Sequence, residues 1–156
     1  MAGAGGYWPT IREAPDVAVV QQDNPLSCVS ACGEMLARTR GIAGVSQAGI
    51  IAAIGAPASA DDLSAALSIA DNGRRWIGGS LTIQGASESE LIDTLNSTGS
   101  WAAVLRSTGT MSHMVVVDGS DVVGNLMIRD PWEGTSYTMK TDDFINYWTS
   151  EAVFRA

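Results

Sequence analysis

The hydrophobic period changes partway along the chain, and that change most limits what it can fold into. From Cys28 to about Leu95 the apolar residues recur mainly at helical spacing, whereas from Trp101 onward they form short runs broken by Gly, Ser and Asp clusters. The pattern predicts helices over Cys28–Arg40, Ser46–Ile54, Asp61–Ala70, with Asp61 as its cap, and Ser87–Leu95. Strands are expected over Trp101–Arg106, His113–Asp118, Val122–Arg129 and Gly134–Met139, and a short one within Trp76–Ile83, where Gly78 and Gly79 weaken the signal. Helices first and strands later is the α+β class, with a cleft expected where an antiparallel sheet meets the helical half.

At 156 residues the chain suits one domain with an ordinary core, and 46% hydrophobic content argues against disorder. Residues 1–7 read as a flexible Gly/Ala-rich start, leaving 8–156 as the domain. A net charge of −8 disfavours sequence-independent nucleic-acid binding and anionic membrane surfaces, both of which require Lys and Arg. No run approaches the roughly 20 apolar residues that span a bilayer, and Met1–Gly6 lack the regions of a signal peptide. A soluble domain is expected, in the bacterial cytoplasm or that of a target cell. Two cysteines four residues apart do not form a secreted disulfide framework, so a reducing compartment fits.

Chemistry concentrates on a few residues. A thiol is a strong nucleophile as thiolate, which an imidazolium stabilises, and the imidazole needs a carboxylate or amide to fix its tautomer. Cys28, the only histidine, His113, and Asp130 match those three roles. Gln22, six residues before Cys28, is placed to supply an amide donor to an oxyanion. Ser27 is a good N-cap, which puts Cys28 in the first helical turn, where free backbone N–H groups and the helix dipole favour an anion. Cys32, one turn on, reads as core. Asp118 points to the opposite strand face from His113, so Asp130 is the better partner, reached through a hairpin at Gly119–Asp121. Trp132 is a candidate wall of the cleft. A zinc site using Cys28, Cys32, His113 and a carboxylate falls short of the usual structural ligand sets, so no metal is expected.

Four separated segments carry a resemblance. Gln22–Cys28, His113–Gly119, Ile128–Pro131 and Met139–Trp148 resemble the bacteriocin-processing, double-glycine leader peptidase domains of the papain-like superfamily, in order from about Gln21 to Phe154. Val29 stands where that family usually has Gly. The resemblance implies a papain-like cysteine peptidase with Cys28 as nucleophile, His113 as general base and acid, Asp130 orienting it and Gln22 as oxyanion donor, and no cofactor. It also implies a peptide substrate cut after small residues such as Gly-Gly. Two settings fit: a leader peptidase for a secreted peptide, or an interbacterial effector whose producer holds an immunity protein. The Gly-rich start leans towards the effector. Deamidation or acyl transfer by the same triad, or a non-catalytic peptide-binding module, are the alternative activities.

Overall fold

The computed structural model describes residues 8–107 and 112–156; the expected Gly/Ala-rich start, residues 1–7, lies outside them. Seven strands form one antiparallel sheet: β1 (Ile11–Pro15), β2 (Trp76–Ser80), β3 (Trp101–Arg106), β4 (Ser112–Ser120), β5 (Leu126–Asp130), β6 (Thr135–Met139) and β7 (Trp148–Arg155). Their spatial order is β1-β6-β5-β4-β3-β7-β2. Helices α1 (Cys28–Thr39), α2 (Gln47–Ile54), α3 (Ala60–Ala70), α4 (Glu88–Ser97) and α5 (Thr141–Tyr147) complete the α+β architecture.

Alternation along the strands divides the core in two. Met114 and Val116 of β4, with Ala102, Val104 and Val153, pack with Val29, Met35 and Leu36 of α1, Ile50 of α2 and Leu63 of α3. Val115 and Val117 turn the other way, with Ile128, Tyr137, Met139 and Trp101, towards Leu91 and Leu95 of α4 and Phe144 of α5. A sheet buried on both faces explains why these strands read as nearly continuous apolar runs.

Several expectations on boundaries change. The third helix is capped by Ser59, not Asp61: Ser59 Oγ accepts the Asp62 N–H, and Asp62 Oδ2 accepts the Ser59 N–H, a complete capping box. The strand expected from Val122 begins only at Leu126, because Asp121 Oδ1 accepts the N–H groups of Val123 and Asn125 and folds that stretch into a turn. Gly78, a weak point in the strand pattern, is where β2 meets α3: a Cβ there would lie 2.3 Å from the Ala60 carbonyl oxygen. Two strands of the sheet, β1 and β2, come from the helical half and form its two edges.

Candidate active site

The loop before α1 is tied down by one side chain on α2. Gln47 Oε1 accepts the Asp23 N–H at 2.8 Å and lies 3.0 Å from Ser27 Oγ, while Gln47 Nε2 donates to the Gln21 carbonyl at 3.1 Å. These bonds bracket Gln22 on both sides. Ser27 is the N-cap residue but makes no capping bond, since its hydroxyl serves this loop and accepts the Asn24 N–H. The start of α1 therefore keeps its positive end uncapped, and Cys28 is the first residue of that helix.

Met114 of β4 lies under α1, and His113, its neighbour near the start of the strand, stands against Cys28, where the imidazole and the thiol act on each other. Burial tends to raise the thiol pKa of Cys28, but the hydrogen bond and charge of His113, together with the Met114 and Val29 backbone, bring it below the ordinary value. Burial likewise works against a charge on His113, yet hydrogen bonds to Asp130 and Cys28 and their charges raise it to about 9. Both directions favour a thiolate–imidazolium pair at neutral pH.

His113 Nε2 lies 2.7 Å from Asp130 Oδ1. With that nitrogen engaged, Nδ1 is left to face Cys28. The hairpin between β4 and β5 pairs Val116 with Arg129 and sets Asp130 at the end of its strand beside the imidazole. Asp130 Oδ1 also accepts the Trp132 N–H at 3.0 Å, and Oδ2 accepts the Tyr137 hydroxyl at 2.7 Å. Burial tends to raise the pKa of this carboxyl, and the contact with His113, followed by these two donors, pulls it below the usual value. Asp118 is occupied elsewhere, by the guanidinium of Arg129 at 2.7 and 2.8 Å and by Ser100 Oγ.

Gln22 is buried, and its backbone N–H reaches the Pro131 carbonyl at 2.7 Å, next to Asp130. Its side-chain amide gives one N–H to the Asn24 carbonyl at 2.8 Å, which leaves the second N–H of the NH₂ group. Trp132 is 39% exposed, meets the His113 ring edge to face at 6.3 Å, and with Gln22, Asp23, Asn24 and Pro25 lines a cavity of about 220 Å³. A groove of about 270 Å³ runs past Cys28 between Leu26, Pro57, Met114 and Glu151. Cys32 is fully buried, its Sγ 3.3 Å from the Met114 carbonyl oxygen, and burial followed by the charge of Cys28 raises its pKa well above normal. Among the described residues no group of three or more His, Cys, Asp or Glu side chains is arranged to hold a metal ion.

Two residues at this site had no sequence signal assigned to them as site members: Tyr137, on the carboxylate, and Trp8, whose indole N–H reaches Tyr137 Oη at 2.9 Å and whose ring lies roughly parallel to His113 at 6.2 Å. Gln47 likewise carries no sequence signal beyond that of a helix residue. None of the helices among the described residues is long and apolar enough to cross a membrane.

No family model matches the sequence. The chain is 36% identical over 154 residues to Cysteine protease effector 1 of Escherichia coli O1:K1:H7, which covers 98% of this chain but 30% of that protein's length. Two solved structures share the fold. The peptidase domain of Streptococcus ComA, a bifunctional ABC transporter involved in quorum sensing, matches with a TM-score of 0.69 at 21% identity over 88% of this chain and 96% of that one. A double-glycine-motif protease from an AMS/PCAT transporter, in complex with the leader peptide, matches with a TM-score of 0.63 at 18% identity over 93% of this chain and 95% of that one. The expected α+β papain-like fold is the one found, shared with these two peptidase domains, and the sequence likeness to the cysteine protease effector runs along nearly the whole chain while spanning less than a third of that protein.

Proposed function

We propose that this domain is a cysteine endopeptidase in which Cys28 is the nucleophile, His113 the general base and acid, Asp130 the residue that orients His113, and Gln22 the side-chain oxyanion donor. The observation that carries the reading is the line from Cys28 through His113 to Asp130, with His113 Nε2 2.7 Å from Asp130 Oδ1, the thiol lowered and the imidazole raised. An extended peptide in the groove presents its carbonyl carbon to Cys28 Sγ, and the thiolate adds to it. The resulting oxyanion takes hydrogen bonds from the free Gln22 N–H and from the Cys28 backbone N–H, a type of stabilisation worth about 2.7–4 kcal/mol for one side-chain donor. Collapse of this intermediate breaks the C–N bond as His113 gives its proton to the leaving amine. Water then attacks the thioester with His113 as base and frees the acid and the thiol. No metal or organic cofactor takes part in these steps.

The finer reading is cleavage after small residues such as Gly-Gly, with Trp132 as a wall of the site. Support comes from the double-glycine-motif protease that shares the fold and was solved with its leader peptide. The likeness to a cysteine protease effector favours an interbacterial effector, acting in the cytoplasm of a target cell and held in check in the producer by an immunity protein. The test is mass spectrometry of a cell lysate treated with wild-type protein or Cys28→Ala. New protein termini following Gly-Gly, seen only with wild type, are the expected result. A one-dalton gain on glutamine without chain cleavage would replace proteolysis by deamidation, and no change at all would leave a binding module.

A further inference from the structure

Asp130 is held from three sides: by His113 and the Trp132 N–H on Oδ1, and by the Tyr137 hydroxyl on Oδ2. Behind Tyr137 stands Trp8, entirely buried, with its indole N–H on Tyr137 Oη at 2.9 Å. An indole N–H can only donate, so Tyr137 Oη must accept from it, and the tyrosine's own proton is then directed to Asp130 Oδ2. That direction leaves Oδ1 to the imidazole and the Trp132 N–H, so that the imidazole presents Nε2–H to the carboxylate and keeps Nδ1 for Cys28.

We infer that Trp8 and Tyr137 form a buried one-way hydrogen-bond relay that positions Asp130 and tunes how firmly it holds the imidazolium, making both of them positioning residues of the peptidase centre. The inference rests on the peptidase reading for its kinetic consequence but not for its structural one. A carboxylate whose charge is drawn on by three donors holds each less strongly than one shared by two. Removing the tyrosine hydroxyl therefore tightens the grip of Asp130 on His113, and an imidazolium held too tightly releases its proton less readily to a leaving amine. Among the described residues, the other ionisable groups acting on this relay are Cys28, against the imidazole, Cys32, on which the charge of Asp130 acts, and Glu13 of β1, whose charge acts on Tyr137 and whose Oε2 accepts the Thr135 hydroxyl. None of them is altered by the changes proposed.

His113 is the only histidine of the chain, so its imidazole proton signals can be followed by NMR through a pH titration without ambiguity. In wild type the midpoint is expected at about 9. Tyr137→Phe, which keeps the ring, is expected to move it upward by roughly half a pH unit, on the scale of one hydrogen bond to a charged group. Trp8→Phe should move it the same way by less, and adding Trp8→Phe to Tyr137→Phe should change nothing further. With a cleavable peptide, kcat should fall several-fold in Tyr137→Phe with KM unchanged. An unmoved midpoint in folded Tyr137→Phe would overturn the relay; should that variant fail to fold, an unmoved midpoint in folded Trp8→Phe would do so. A wild-type protein that titrates as expected but cleaves nothing would count against the peptidase reading alone.

Discussion

His113 Nε2 and Asp130 Oδ1 stand 2.7 Å apart with almost no solvent on either side chain, 6% and 1% exposed. An ion pair so enclosed is hardly screened, and it is the Cys28 end of the line, half-buried at the groove, that meets solvent. This gradient sets the expected pH dependence. As pH falls, the thiolate of Cys28 takes up a proton, and because its pKa is lowered this loss begins only below the usual thiol range. As pH rises past about 9, His113 loses the proton that the leaving amine requires. Turnover against pH should be a bell with its plateau below about 9, measurable with a cleaved peptide. An alkaline limb near the ordinary histidine value would show that Asp130 does not hold the imidazolium.

Asp130→Asn and Asp130→Ala should separate orientation from burial. The Asn side-chain oxygen can still accept the His113 and Trp132 N–H groups, as in Cys-His-Asn centres, so measurable turnover should survive. Its amide nitrogen would face the Tyr137 oxygen, depriving that hydroxyl of its acceptor at a cost of about 1–3 kcal/mol. Ala leaves a buried imidazolium without its partner, a loss of about 3–5 kcal/mol, and should remove both activity and much of the stability. Kinetics alongside thermal unfolding would check this; equal stability of the two variants would contradict it.

Gln47→Ala should weaken turnover although Gln47 touches neither the thiol nor the imidazole. Its amide joins the Gln21 carbonyl, the Asp23 N–H and the Ser27 hydroxyl, so removal frees the loop that carries Gln22. The groups left unpaired cost about 1–3 kcal/mol, and kcat should fall more than KM changes. A variant that unfolds more easily yet keeps full kcat would show that the loop needs no such tie.

The sequence made the meeting of Cys28, His113 and Asp130 legible because each is the sole or best-placed residue of its type, and these widely spaced positions still fall in recognisable local patterns. His113 precedes an apolar strand, Asp130 ends one, and Cys28 follows a turn. Tyr137 and Trp8 escaped notice because a buried aromatic on an alternating strand, or at the start of a domain, looks the same whether its polar tip meets a carboxylate or a main-chain group. Ser27 has the right type for a cap, but the tertiary contact with Gln47 redirected its hydroxyl. Strand β7 was missed although it lies in the sheet between β3 and β2. Its Ser150 has φ 68° and its pairing with β3 shifts register between Ala103 and Leu105, so period-2 alternation is broken where it would have been read. Strand β1 is similarly interrupted, by Arg12 at φ 57° and by Pro15.

The two cysteines, one turn apart on α1, should behave as opposites. Cys28 is half-buried at the groove with a lowered pKa, so an alkylating reagent such as iodoacetamide should label it rapidly at neutral pH. Cys32 is sealed in the core with its pKa raised, its Sγ against the Met114 carbonyl, and should stay unlabelled while the protein is folded. Cys28→Ala should abolish cleavage and leave the fold intact, since the side chain contributes little to the core. Cys32→Ala should lower stability by roughly 1 kcal/mol, the scale of one buried hydrogen bond, and keep turnover. Intact-mass labelling of the two variants, with thermal unfolding and peptide cleavage on the same samples, distinguishes the roles. Cleavage retained in Cys28→Ala, or lost in a well-folded Cys32→Ala, would move the nucleophile to Cys32 or remove the thiol from the reaction altogether.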